Sequence, residues 1–169
     1  GDAAYRSGNT ELARTAFERA VNHTKGSVTA YPSDVISLAQ IHIDLGNANL
    51  ALETLSAAPK NFTDANSYAA TQAALQAQAH IKLGNAEEAE KSFDRAKKLA
   101  TTTRADVASL TLAKAAFSLG RDDEGSAILS KAVSADHENS RTVLLARKVL
   151  KDTGKDALMS TVVDDACNK

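Results

Sequence analysis

Apolar residues along the chain recur three and four positions apart, in stretches separated by short polar segments that carry a glycine. The stretches VISLAQIHIDL (35–45), SYAATQAALQAQAHIKL (67–83) and VASLTLAKAAFSL (107–119) read as helices, and each stops at a glycine. A second helical stretch follows each glycine. No long segment alternates apolar and polar with period two, so no sheet is expected. The elementary unit predicted is a helix, a tight turn and another helix.

That unit repeats. The segments SGNTELARTAFERAV (7–21), LGNANLALETLSAAP (45–59), LGNAEEAEKSFDRAK (83–97) and LGRDDEGSAILSKAV (119–133) align on Gly8, Gly46, Gly84 and Gly120, spaced by 38, 38 and 36 residues. A weaker fifth copy starts near Gly154. Five residues after each glycine stands a small residue, namely Ala13, Ala51, Ala89 and Gly125. Nine after it stands a bulky one, Phe17, Leu55, Phe93 and Leu129, and twelve after it an alanine, Ala20, Ala58, Ala96 and Ala132. Spacings of four and three put these positions on one helix face. Small residues admit a neighbouring helix closely, and the bulky one fills the space between. The glycine, often followed by asparagine, suits the left-handed backbone that ends a helix. One hairpin cannot bury its apolar face alone, but stacked hairpins bury theirs against each other.

With Ala39, Ala77 and Ala113 seven residues before their glycines, the pattern resembles the tetratricopeptide repeat: a small residue in the first helix, a turn glycine, then a small–bulky–small series in the second. The resemblance covers about 9–150. It implies an all-α, right-handed solenoid of about four hairpins plus a C-terminal helix. The units expected are 1–30, 31–66, 67–104, 105–139 and a partial 140–169, together one repeat domain over 1–169, cut from a longer protein. The intervals exceed the usual unit of about 34 residues, and the extra residues fit the loops at 24–34 and 58–66. The tail from Lys155 reads as a polar helix, a cap or the start of another unit.

Composition sharpens this in one direction. The 33 alanines against two prolines favour helix, and Pro32 and Pro59 fall between the periodic stretches. The 20 basic and 21 acidic residues give a net charge of −1, which argues against a nucleic-acid partner. No apolar run is long enough to cross a membrane. The lone Cys167 allows no internal disulfide and reads as an incidental thiol. The only methionine is Met159, and no signal peptide opens the chain, which reads as a processed protein or a fragment. Alanine-rich repeats with a Gly-Asn turn suggest a bacterial protein, with cytoplasm and periplasm both open.

The resemblance also implies a function: binding of a protein segment in the concave groove lined by the first helices, without catalysis. The groove candidates are Ile36 and Gln40, Ala74 and Gln78, Leu110 and Lys114, and Leu144 and Lys148. Ile43, Ile81 and Phe117 continue the row, and packing between hairpins has the stronger claim on them. Gln40 and Gln78 would bond a peptide backbone, and the lysines would favour an acidic residue at one end. A clamp for a terminal carboxylate, known in the family, needs cations where this chain has Ile36, Gln40, Leu75, Val107 and Thr111, so none is expected. His42 and His80, 38 residues apart, would each fill the family's large-residue slot with one hydrogen bond. No metal, cofactor or catalytic residue is expected, because no further ligand repeats beside them and the acidic pairs lie in polar stretches. Self-association within a larger assembly, such as a bacterial secretion or exopolysaccharide export system, is the alternative to a separate protein partner.

Overall fold

A computed structural model of the chain describes residues 1–23, 32–58, 66–100, 106–136 and 140–164. Every regular element among them is helical: α1 (Asp2–Arg6), α2 (Thr10–His23), α3 (Pro32–Asp44), α4 (Ala48–Ser56), α5 (Asn66–Lys82), α6 (Ala86–Ala100), α7 (Asp106–Ser118), α8 (Asp122–Ala135) and α9 (Ser140–Asp152). A 3-10 turn (Asp156–Leu158) and a π turn (Ser160–Asp164) follow.

One turn geometry builds the hairpins. At the end of α5 the Gly84 N–H donates to the Ile81 carbonyl, and the Asn85 N–H reaches back to the carbonyl of His80. This pair of bonds occupies carbonyls that the helix end leaves without partners. It requires a left-handed residue, and the glycine supplies it. The same two bonds close α1, α3, α7 and α9. All five glycines have φ between +69° and +81°. Gly154 thus makes the turn of the other four, and the repeat register runs to the end of α9. The asparagine after the glycine has a different task in the first unit, where the Asn9 side chain accepts the Leu12 N–H and caps α2.

The helices pack as neighbours in sequence and in space: α3 against α2, α4 and α5; α5 against α6 and α7; α7 against α8 and α9. The predicted register accounts for these contacts. Ala13, Ala39, Ala51, Ala77, Ala89 and Ala113 are all fully buried, as are Phe93 and Leu129, with Leu55 and Phe17 nearly so. Small residues let the helices approach, and Phe93 sits among Ala73, Ala74, Ala77 and Ala116. The core continues along the stack, from Phe17, Leu38 and Ile41 near the N-terminus to Leu129, Val133 and Leu150 near the C-terminus. This is an all-α hairpin solenoid.

Two expectations change. Ala58 lies beyond α4, which ends at Ser56, so the twelfth position is helical at Ala20, Ala96 and Ala132 only. Over its described residues the tail is not a polar helix: its 3-10 and π turns fold back so that Val162 and Val163 are buried against Phe117, Leu129, Val149 and Leu150. Two adjacent valines, too few for a helical period, carry that apolar contact. The extra-residue loops expected at 24–34 and 58–66 lie mostly outside the described residues, and Cys167 lies wholly outside them.

Candidate functional site: a groove along the first helices

The turn geometry sets the last turn of each first helix side by side. These turns enclose a groove of about 480 Å³, lined from α1 by Tyr5, from α3 by Ile43 and Asp44, from α5 by Gln78, Ile81 and Lys82, from α7 by Lys114, Phe117 and Ser118, and from α9 by Lys148 and Asp152. Thr10 and Thr153 close its edges. The volume is in the range of ordinary ligand pockets. Its floor is the position three before each glycine (Tyr5, Ile43, Ile81, Phe117), and one wall is the position two before (Asp44, Lys82, Ser118, Asp152).

The groove's charges are largely paired inside it. The Tyr5 hydroxyl donates to Asp44 at 2.6 Å, and the Gln40 amide donates to the same carboxylate at 2.9 Å. The Lys114 ammonium lies 3.5 Å from Asp44 and 3.7 Å from Asp152. Lys148, one turn before Asp152 on α9, pairs with it at 2.9 Å. Burial first, and then the Asp44 carboxylate, push the Tyr5 hydroxyl far above the usual tyrosine range, so it stays a donor. Lys82 is exposed on the wall and makes no ion pair among the described residues. Three lysines against two aspartates leave these lining residues at a net charge of +1.

The eight groove candidates do not share one environment. Gln78, Lys114 and Lys148 line the groove. Ala74 and Leu110 are buried in the packing between hairpins. Ile36 lines a small gap among α3, α4 and α5 instead, Gln40 points its amide at Asp44, and Leu144 is 66% exposed on α9 away from the groove. The glutamine amides serve the fold. Gln78, only 4% exposed, donates to the Thr111 carbonyl and ties α5 to α7. Gln78→Ala therefore removes a packing contact as well as a groove group. Residues that the sequence reading missed are Tyr5, Asp44, Lys82, Ser118 and Asp152. Their signal was their fixed place two or three residues before the turn glycine.

The histidines differ from the expectation. His42 is buried and His80 partly so, and the Nδ1 atoms of both lack a hydrogen-bond partner. Burial pushes His42 below the ordinary histidine value, Arg14 adds to that, and Glu18 opposes it. No group of three His, Cys, Asp or Glu among the described residues is placed to hold a metal. No helix among them is long and apolar enough to cross a membrane.

On the opposite side, second helices are stapled together. Arg121, at the start of α8, pairs with Glu90 of α6 and with Glu124, and its guanidinium stacks 4.8 Å over the Phe93 ring. Lys97 of α6 reaches Glu124 as well, and these two cations, Lys97 first, hold the Glu124 carboxyl below its usual range.

Stacked helix–turn–helix units with a groove along their first helices define the class: a helical-repeat solenoid. Residues 74–103, over most of α5 and all of α6, match the family model of the tetratricopeptide repeat. Such repeats generally mediate protein–protein interaction and are typically non-catalytic. No curated protein and no solved structure matches the chain.

Proposed function

We propose that this array is a non-catalytic scaffold or adaptor module that binds a protein segment along the groove of its first helices. The observation that carries the reading is the groove itself. Five successive first helices contribute to one concave surface with an apolar floor and charged walls. An apolar floor with a few placed polar groups is the usual make-up of a binding cleft. Ile81 and Phe117 would take apolar side chains of the segment, and Lys82 and Lys148 would favour an acidic one. Lys114 stands between, where a bound segment would have to pass it. Of the eight candidates, Gln78, Lys114 and Lys148 are the ones this reading keeps as contacts.

Selection of peptides from a displayed random library on the whole chain tests it, followed by affinities for variants. Lys82→Glu and Lys148→Glu, both on exposed side chains, should each weaken a selected peptide at least about tenfold, the equivalent of roughly 1.4 kcal/mol. Glu53→Lys on α4, remote from the groove, should leave the affinity unchanged. Equal affinity for all three variants would place the binding surface elsewhere. A concentration-dependent mass with no peptide selected would instead favour self-association.

A further inference from the structure

Repeat arrays are held together mainly by contacts between adjacent units. The groove contains a contact that breaks this rule. Asp44 ends the first helix of the second unit, Lys114 lies on that of the fourth, and Asp152 ends that of the fifth. Lys114 sits between the two carboxylates, at 3.5 Å and 3.7 Å, and so spans α3 and α9 across α5 and Gln78. Its side chain is 20% exposed, and both aspartates are 31% exposed. Asp44 is held in place by donors from Tyr5 and Gln40, and Asp152 by Lys148. Both carboxylates are therefore held by partners of their own, and the lysine bridges them.

We propose that Lys114 is a clasp: its ammonium, shared by Asp44 and Asp152, draws the second and fifth units together and sets the curvature and width of the groove. Partly exposed ion pairs of this length are weak and screened by salt, so the clasp opens and closes without unfolding a hairpin. The clasp is a property of the array whatever segment the groove takes.

The test measures a distance across the clasp. Nitroxide labels at Ser33→Cys on α3 and Leu144→Cys on α9, both exposed positions, are placed in the full chain carrying Cys167→Ser. Pulsed dipolar spectroscopy then reads their separation. Raising NaCl from about 0.01 M to about 1 M cuts the screening length from about 30 Å to about 3 Å. The clasp predicts a shift to longer and broader separations on that change. Lys114→Met should give the long, broad distribution already at low salt and lose the salt response. Asp44→Asn, which cuts one arm only, should fall between. Lys91→Met removes ion pairs within α6 alone and should behave as the parent chain. Circular dichroism on each variant confirms intact helix content. Identical distributions for Lys114→Met and the parent at every salt concentration, or an equal opening in Lys91→Met, would overturn the proposal.

Discussion

Gly125 and Phe117 show how tightly the repeat register binds one side chain to another. Three before each turn glycine stand Tyr5, Ile43, Ile81 and Phe117, and five after it Ala13, Ala51, Ala89 and Gly125. Where the first position holds phenylalanine, the second has no side chain. A Cβ at Gly125 would lie 2.8 Å from the Phe117 ring carbons. Glycine inside a helix costs about 0.5–1 kcal/mol relative to alanine, so the residue is kept there by the ring and not by backbone need. Gly125→Ala should destabilise the chain by about 1–3 kcal/mol through overpacking. Gly125→Ala with Phe117→Ile, which restores the isoleucine–alanine pairing of the second and third units, should recover most of that loss. Urea unfolding of both variants checks it, and additive effects would show that the two side chains do not compete.

Burial of His42 makes stability depend on pH at this scale. Its imidazole is buried with Nδ1 unpartnered, and burial holds its pKa below the ordinary value. Above about pH 6.5, the free histidine value, it is neutral folded and unfolded, and stability is fully present. As pH falls below that value the unfolded chain takes up a proton that the folded one refuses, so stability declines toward the lower folded pKa. The equivalent position in the last unit is Leu150, fully buried. His42→Leu should therefore flatten this part of the profile between about pH 7 and about pH 5, and an unchanged profile would assign the decline to other groups.

At the level of elements, the hairpins were legible because one short-range rule produced them. Glycine at fixed spacing, a small residue five later and a bulky one nine later specify a turn and a packed face with no knowledge of distant residues. The fifth turn was legible as well, through Gly154. The tail was not, because its contact uses two adjacent valines in irregular turns, which leave no period to read. Val163 is fully buried against the last hairpin, so these turns close the end of the core. Val163→Ala removes two methyl groups from that seal and should cost about 2 kcal/mol. Hydrogen exchange should show the loss concentrated in α8 and α9. A loss spread evenly over the array would mean that the tail is not a local cap.

At the level of the whole molecule, the groove depends on how successive first helices are set against one another, and this was only partly readable. Counting back from the buried alanines placed Lys114 and Lys148 on the inner face, but it also enrolled Ala74 and Leu110, which packing between hairpins claims. The charged wall of Asp44, Lys82 and Asp152 was missed because each of these residues is ordinary in its own helix. They become a site only when four or five units align. Two amides expected to face a ligand are instead engaged with Asp44 and the Thr111 carbonyl, a choice that depends on tertiary distance and that no sequence spacing encodes.

On the proposed function, the groove of the first helices is the binding surface. The most direct measurement is an amide chemical-shift titration of the 169-residue chain with a peptide selected on it. Perturbations concentrated at Ile81, Lys82, Lys114, Phe117, Ser118 and Thr153 are expected. Perturbations confined to the exposed faces of α2, α4 and α6, around Leu12, Leu50 and Lys91, would contradict it.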